Sequence, residues 1–406
     1  MNLPSLSGHE ILQTAGLCAV FDAISNFGGE ARMVGGCVRN ALLGEAIHDI
    51  DLATNLTPAQ VAKAAGDAGL RSVATGIEHG TVTIISDGTG FEVTTLRHDI
   101  ETDGRKARVK YTDDWSADAA RRDFTLNALY CSGNGVVLDP LGGFADLETR
   151  TIRFVGDPDA RIREDYLRIL RFFRFLSQYG SGEVDTDGLA ACARLKDGLQ
   201  QLSRERIGQE FHKLLDGARA SEVAALMNEA GVSQTLFELD LSNNLLASVK
   251  TRARTLGVAA DYTTLLTAAL PLSAGKLTSL LRLSNNQARR LNELQSATAP
   301  SPALRDIERK VVLYRMGAET WSRAVLLAWS SLGFGEDEEW MHLFKLPDMW
   351  QLPVFPLTGS DVLAAGVEPG PQVGKTLRML EDWWMADGFK ADRDELLARI
   401  PGLNNV

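Results

Sequence analysis

The sequence predicts an α+β protein in which a small mixed β-sheet with flanking helices comes first and an all-helical remainder follows. Three observations carry that reading. Short alternating apolar segments, separated by Gly, Asp and Thr turns, crowd the stretch between Ala31 and Arg97, as half-buried strands do. From Asp157 onward strands become scarce and helical periodicity dominates to the end. The 406 residues, 45% hydrophobic and 23% charged, are enough for two or more domains with sizeable cores.

Taken in order, Ser7-Gly8-His9-Glu10 is a capping-box pattern before an amphipathic run to about Phe27, a first helix packed beside the sheet. Ala31–Val34 is the first strand. Val34–Thr54 (VGGCVRNALLGEAIHDIDLAT) then holds the most informative residues. Gly35-Gly36 opens a short helix with Arg39 just inside. Glycines let backbone N–H groups approach an anion, and the helix start adds a positive dipole end. Asp49-Ile50-Asp51-Leu52 alternates acid and apolar. On a strand the two carboxylates project together while Ile50 and Leu52 point into a core. Side-by-side carboxylates repel unless a divalent cation lies between them, and Mg²⁺ takes such oxygen ligands together with substrate phosphates. An Asp-x-Asp alone is commonly a solvated turn. The order of glycine pair, arginine, short helix and acid pair singles this one out, since one segment can hold both a metal and the triphosphate of a nucleotide.

Thr57-Pro58-Ala59-Gln60 caps the next helix, with proline at its first position. Strands near Arg71–Thr75, Thr81–Ser86 and Phe91–Arg97 follow, the last two joined by the hairpin signal Asp87-Gly88-Thr89-Gly90. Glu92 is either a third carboxylate for metals or an exposed strand glutamate. His98–Asp114 is polar, lacks helical periodicity and reads as a flexible loop. Arg105 and Arg108, with Lys106 and Lys110, give it a positive centre, either solvated or touching incoming nucleotide or nucleic acid. Ala119–Tyr130 is helical in pattern, with Arg121, Arg122 and Asp123 at its start as a surface salt-bridge cluster or a phosphate contact. Val136–Asp139 and Pro140–Gly143 read as strand and turn.

In the helical part, Ile162–Leu176 (IREDYLRILRFFRFL) is dense with arginine. On one helix, Asp165, Arg168 and Arg171 share a face at steps of three, and Arg174 continues it. One reading is a helix with internal ion pairs. The other is base selection: Asp accepts from the exocyclic amine of cytosine or adenine, and Arg donates to cytosine O2/N3 or adenine N1. Uracil and guanine would leave buried groups unpaired there, which costs more than a poor contact. Ser203–Leu215, with Arg204 and Arg206 at its start, is a scaffold for that helix. Arg282, Arg289 and Arg290 form either a solvated helix face or a phosphate-backbone face. Ala297–Pro302 is a hinge before a terminal helical domain. Gly374-Lys375-Thr376 resembles the end of a P-loop, but Pro369 occupies the place of its first glycine and no acceptable strand precedes it, which rejects an ATPase reading.

Net charge is −11 and the isoelectric point about 5.2, so a nucleic-acid binder of this composition concentrates its positive charge locally. Cys18, Cys37, Cys131 and Cys192 are scattered with no CxxC pair, which argues against a zinc site or disulfide framework and for a reducing cytoplasm. His48-Asp49 and His98-Asp99 both lie in the first quarter, which argues against an appended helical His/Asp phosphohydrolase domain. No apolar run is long enough to span a bilayer, and no signal-peptide pattern opens the chain.

Four blocks together resemble the class II tRNA nucleotidyltransferase and bacterial poly(A) polymerase family, within the DNA-polymerase-beta-like nucleotidyltransferases. They are Gly35-Gly36-Cys37-Val38-Arg39 with Leu42-Leu43-Gly44 and Asp49/Asp51; Arg121-Arg122-Asp123-Phe124-Thr125 with Asn127-Ala128; Asp139-Pro140 with Gly142-Gly143 and Asp146-Leu147; and Glu164-Asp165 with Arg168, Arg171 and Arg174. Arg204-Glu205-Arg206-Ile207 with Glu210 adds a fifth. The resemblance implies a catalytic head (1–145), a base-selecting neck (146–215), a helical body (216–298) and a tRNA-binding helical tail (299–406). It implies template-independent addition of C, C and A to the 3′ end of tRNA from CTP and ATP, the tRNA being bound at its 3′ end and acceptor arm, with no membrane or protein partner. Asp49 and Asp51, with Glu92 as the candidate third acid, are then the catalytic carboxylates, the two aspartates binding two Mg²⁺. Gly35, Gly36, Arg39, Arg121 and Arg122 take the triphosphate; Asp165 and Arg168 read the base, with Arg171 and Arg174 in support. Two departures stand out: Asn40, where the family often has Asp, and Tyr166, where proline or a small residue is common. A poly(A) polymerase, a partial CC- or A-adding enzyme, and a catalytically silent RNA-binding module are the competing readings.

Overall fold

Alternation of apolar and polar residues builds the sheet. Its strands are β1 (Ala31–Val34), β2 (Asp51–Thr54), β3 (Arg71–Gly76), β4 (Thr81–Ser86) and β5 (Thr89–Thr95), then, after a separate hairpin of β6 (Arg97–Asp103) and β7 (Lys106–Tyr111), β8 (Tyr130–Ser132) and β9 (Val137–Leu138). The spatial order is β3-β4-β5-β2-β1-β8-β9. Every neighbouring pair is antiparallel except β2 and β5, whose parallel register sets Asp51 opposite Glu92. Val82 and Ile84 on β4 and Phe91 and Val93 on β5 are buried on one face, as period-two alternation requires. Asp87 (φ 51°) and Gly88 (φ 74°) both take positive φ between β4 and β5, as a type I′ turn does.

The computed structural model describes residues 3–76, 80–103, 106–332 and 337–403. They form two compact units, one ending at Asn243 and one beginning at Asn244. In the first, helices α1 (Ala15–Asn26) and α3 (Pro58–Asp67) pack on each other and on the sheet, and α2 (Gly36–Leu43) follows β1 directly. Thr57 and Gln60 form the capping box that starts α3. Beyond α4 (Trp115–Ala120) and α5 (Gly143–Glu148), the helices are α6 (Pro158–Glu164), α7 (Leu167–Gln178), α8 (Thr186–Leu195), α9 (Arg204–Asp216), α10 (Ala220–Glu229) and α11 (Val232–Phe237). Phe124, Phe154, Phe172 and Phe175 join the sheet-bearing part to α7 through ring contacts of 5.0 to 6.4 Å.

Five expectations need correction. The first helix does not begin at Ser7: His9 accepts from Ile11 N and starts a 3₁₀ turn, Glu10–Gln13, ahead of α1. His98–Asp114 is not a loop but the β6/β7 hairpin, because cross-strand backbone bonds pair Arg97 with Tyr111 through Asp103 with Lys106. Arg105 lies outside the described residues; Arg108 lies on β7. Ala119–Tyr130 is not a helix: α4 stops at Ala120, Phe124 is extended and bridges to Phe154, and Thr125–Asn127 is a 3₁₀ turn. Ile162–Leu176 is two helices, broken where Asp165 takes an extended conformation (φ −156°, ψ 107°), so Asp165 does not share a helix face with Arg168. Finally, β2 begins at Asp51, leaving Asp49 in the connection before it.

The second unit is helical throughout its described residues. Helix Asp306–Ser331 is kinked at Gly317 (φ 75°, ψ 160°). One core gathers Trp321, Val325, Trp329 and Trp340, another Val362, Leu380, Trp384 and Leu396. Ala297–Pro302 joins helices inside this unit. Arg289 and Arg290 pair with Glu293 and Glu319. No single helix among the described residues is long and apolar enough to cross a membrane.

Candidate active site

A cleft of about 500 Å³ opens in the first unit between the end of β1, the start of β2 and the C-terminal ends of α7 and α9. β1 delivers the chain to Gly35, whose φ of 73° and ψ of −123° lie where only glycine is comfortable. That turn places Gly35, Gly36 and Cys37, the N-terminal end of α2, on the cleft wall. Arg39, one turn on, is buried. Its Nη1 donates to Asn127 Oδ1 at 2.6 Å, Nη2 to Tyr179 Oη and Asn40 Oδ1 at 2.8 Å each, and Nε to Asn40 Oδ1 at 3.1 Å. The guanidinium also lies 4.0 Å from the Tyr179 ring centroid, a cation–π contact. Every partner is neutral, so the cation is fixed in place without being cancelled. Burial lowers its pKa from the usual arginine value.

Asp49 and Asp51 line the same cleft, and both are exposed. Leu52 is buried in the core, whereas Ile50 is half-buried and lines a neighbouring cavity with His9 and Glu45. The Asp51 carboxyl is raised above the usual carboxylate value, first by desolvation and then by Glu92 and Asp49, with Arg122 opposing. Glu92 is thus coupled to Asp51 from the neighbouring strand. Among the described residues, no three His, Cys, Asp or Glu side chains stand together as a metal cluster. The donor set is nonetheless all carboxylate oxygen, and Glu92 and Asp49 raise the Asp51 carboxyl against the opposing Arg122, which fits a hard divalent cation.

Arg122 lines the cleft and Arg121 does not. Both are held by Asp118, which is 1% exposed. Asp118 accepts from Arg121 Nε at 2.8 Å, Arg122 Nη2 at 3.0 Å and Tyr130 Oη at 2.8 Å. Burial alone would raise the Asp118 carboxyl, but Arg122 and Arg121 outweigh it and the net shift is downward. Asp118 carries no signal in the sequence beyond helical spacing to the two arginines.

The α7 side supplies Arg171, Arg174, Phe175 and Tyr179. Arg171 Nε donates to Asp123 Oδ2 at 2.7 Å, and Asp123 Oδ1 accepts from Asn127 Nδ2 at 3.0 Å. Desolvation raises the Asp123 carboxyl, but Arg171 and Asn127 more than offset it, and the value falls to about 2. Arg174 Nε lies 3.1 Å from Glu210 Oε2 on α9. The Phe175 ring meets the guanidinium groups of Arg39, Arg171 and Arg174 at 5.2, 5.4 and 4.5 Å. In the sequence, Asp123 reads with Arg121 and Arg122 as a salt-bridge cluster or phosphate contact, and Asn127 and Glu210 only as members of the family blocks; their roles in holding Arg39, Arg171 and Arg174 are not foreseen there. Asp123 and Asn127 sit in the second family block and Glu210 in the fifth, but Tyr179 carries no signal at all.

Asp165 and Arg168 do not line the cleft. Asp165 Oδ2 accepts from Arg206 Nη2 at 2.6 Å and Oδ1 from Leu167 N at 3.1 Å. Arg168 donates to Glu164 Oε2 at 2.5 Å and to the carbonyls of Arg161 and Arg121 at 2.8 and 3.3 Å.

A glycine-opened helix, a carboxylate pair and five cations (Arg39, Arg122, Arg171, Arg174 and, from α9, Lys213) facing one cleft make a site for a nucleoside triphosphate and metal. Comparison with known proteins agrees. Residues 31–153 match the family described as Poly A polymerase head domain, and 183–241 the one described as Probable RNA and SrmB- binding site of polymerase A. The chain is 34% identical over 401 residues to the mouse (Mus musculus) CCA tRNA nucleotidyltransferase 1, mitochondrial, spanning 96% of this chain and 90% of that one. The chain belongs to the CCA-adding tRNA nucleotidyltransferase family. It is also 32% identical over 370 residues to a CCA-adding enzyme of Limosilactobacillus fermentum, covering 89% of this chain and 90% of that one. Among solved structures, the Bacillus stearothermophilus CCA-adding enzyme in complex with CTP superposes with a TM-score of 0.77 at 26% identity, over 96% of this chain and 97% of that one. The likeness covers both units. As a nucleotidyltransferase of this family, the enzyme uses a divalent metal.

Proposed function

We propose that this enzyme adds C, C and A, without a template, to the 3′ end of tRNA from CTP and ATP. The observation that carries the reading is the single cleft in which Gly35, Gly36, Arg39 and Arg122 face Asp49 and Asp51, in a chain alike over nearly its whole length to enzymes named for that activity. The tRNA 3′ hydroxyl forms a bond to the α-phosphorus, the bond from that phosphorus to the bridging oxygen breaks, and pyrophosphate leaves. Asp49 and Asp51 hold two Mg²⁺, with Glu92 beside Asp51 as the third acid. When bound, the metal pair stabilises the attacking and leaving oxygens. The backbone N–H groups at the start of α2, with Arg39 and Arg122, bind the triphosphate; Arg121 acts through Asp118 by sharing its charge with Arg122. Base reading is assigned to Asp165 and Arg168, which lie outside the cleft wall, with Arg171 and Arg174, which do line it, in support. Arg105 and Arg108 belong to the segment that meets incoming substrate. Positioning and electrostatic stabilisation supply most of the rate.

We divide the chain into head (1–145), neck (146–215), body (216–298) and tail (299–406), the last two gripping the acceptor arm. The four unpaired cysteines, three of them buried, support a reducing cytoplasmic home; relatives named mitochondrial occur in mouse and human. The test is labelled-nucleotide incorporation into tRNA transcripts lacking CCA, ending in C-C, or complete. Two C and then one A on the first, and arrest there, is the expected result. A alone on the C-C end would make it an A-adding enzyme, and long A tracts a poly(A) polymerase. No incorporation with Mg²⁺ or Mn²⁺, while RNA still binds, would refute catalysis.

A further inference from the structure

We propose that Arg206, at the start of α9, sets the fidelity of base selection by fixing the plane of the Asp165 carboxylate. The inference rests on the reading of Asp165 as the acceptor for the base's exocyclic amine. Asp165 sits in extended conformation at the break between α6 and α7, its carbonyl accepting from Arg168 N at 3.0 Å. Two donors orient its side chain. Leu167 N reaches Oδ1 at 3.1 Å, and Arg206 Nη2 reaches Oδ2 at 2.6 Å. One anchor would leave the carboxylate free to turn about Cβ–Cγ; two, on different oxygens, define its plane. Each oxygen keeps a second lone pair, so the anchored group still accepts from a cytosine or adenine amine.

The position of Arg206 argues against a merely structural role. It lies in the first turn of α9, two residues after Arg204, where cations oppose the helix dipole. Nothing in α9 itself calls for it. Its side chain is 18% exposed and that of Asp165 20%, so the pair is neither freely solvated nor sealed in the core. The next residue is also closely packed: a Cβ on Gly198 would come within 2.0 Å of the Tyr166 ring, so Gly198 leaves the room that ring needs. The consequence is discrimination. A carboxylate that rotates freely can turn away from the O4 acceptor of uracil and lose the repulsion that rejects it. A fixed one cannot, and rejection by unpaired polar groups depends on that rigidity.

The experiment uses the full chain and its variants R206Q, R206K and D165N, with kcat/KM for CTP and UTP measured on a tRNA lacking CCA, and melting temperatures alongside. R206Q is expected to lose about tenfold of the CTP-over-UTP preference at an unchanged melting temperature, and D165N to lose more. R206K keeps the charge without the planar fork, so it discriminates between wild type and R206Q; it carries the test should R206Q fail to fold. Wild-type preference in R206Q or R206K, with D165N impaired, overturns the role of Arg206 alone. Wild-type preference in D165N removes the base-reading assignment beneath it. A rise in kcat/KM for CTP in R206Q would mean that Arg206 competes with the base for Asp165, and would also overturn the proposal.

Discussion

Replacing Asp123 by asparagine is expected to loosen the joint between the sheet and α7, with a size that follows from its surroundings. Asp123 is 8% exposed and holds Arg171, Asn127 and its neighbour's backbone N–H. Its carboxyl moves from an ordinary 3.8 to about 2, which corresponds to roughly 2 kcal/mol of pH-linked stability. A depressed carboxyl contributes that stability above its unfolded pKa and loses it as pH falls through the folded one, so the loss runs from about pH 4 down to pH 2. D123N keeps the shape but leaves Arg171 without its counterion. Stranding a buried charge costs about 3–5 kcal/mol. The Arg171 side chain is 29% exposed and Glu210 lies 3.8 Å from it, which puts the expected loss near the lower end, about 3 kcal/mol. Urea unfolding followed by far-UV circular dichroism measures it at pH 7. The double variant D123N/R171M is expected to be more stable than D123N, since no charge is left stranded. A D123N loss under about 1 kcal/mol, or a double variant no better than D123N, would refute the reasoning.

Three more outcomes follow from the cleft. D51N is expected to abolish incorporation yet raise the metal-free melting temperature at neutral pH. The Asp51 carboxyl, though exposed to the cleft, is raised by partial desolvation there and by Glu92, so its ionisation costs stability as pH climbs through it; a lowered metal-free melting temperature contradicts this, and D51N should also lose the Mg²⁺-induced rise in differential scanning fluorimetry. G35A places an L-residue at φ 73°, ψ −123°, at a cost of roughly 1–3 kcal/mol; a higher KM for CTP and a lower melting temperature are expected, and wild-type values for both would exclude the strain. Lys213 lines the cleft, is exposed, and has no carboxylate partner among the described residues. K213Q should raise KM for both CTP and ATP with stability unchanged, whereas an effect on tRNA binding alone would assign it to the RNA instead.

Where local chemistry decides structure, the sequence was legible. The Asp87-Gly88 turn, the Thr57 capping box and the alternation of β4 and β5 all state themselves within a few residues. The β6/β7 hairpin was not, because charged residues dominate His98–Asp114 and the short alternation of Ala107, Val109 and Tyr111 has no apolar counterpart on β6 beyond Ile100; the register that pairs Asp103 with Lys106 is set by the cross-strand backbone bonds. The run Ala119–Tyr130 is helical in pattern but is overruled by tertiary structure, since Phe124 bridges to Phe154 and packs in an aromatic cluster. The break after Glu164 had a readable signal that periodicity hid. Asp165 accepts from Leu167 N two residues on, as an Asx turn does, and this turn separates α6 from α7 inside an apparently continuous helix.

The site was legible in part for the same reason. Gly35, Gly36, Arg39, Asp49 and Asp51 lie close in sequence, and one turn, one short helix and one strand start bring them to one wall. The opposite wall is made of contacts that no local pattern announces. Arg39 reaches Asn127 across 88 residues and Tyr179 across 140. Arg171 reaches Asp123 across 48. Joined end to end, these bonds form a closed path: α7 holds Asp123 through Arg171, Asp123 holds Asn127, Asn127 holds Arg39, and Arg39 returns to α7 at Tyr179. α7 is therefore tied near its start and at its end to the cleft's phosphate-facing wall. Moving one tie shifts the others, because buried polar groups cannot give up a partner without cost. The arginine proposed to bind phosphate and the helix next to the proposed base-reading pair then share one mechanical support, so a change at either is felt at both.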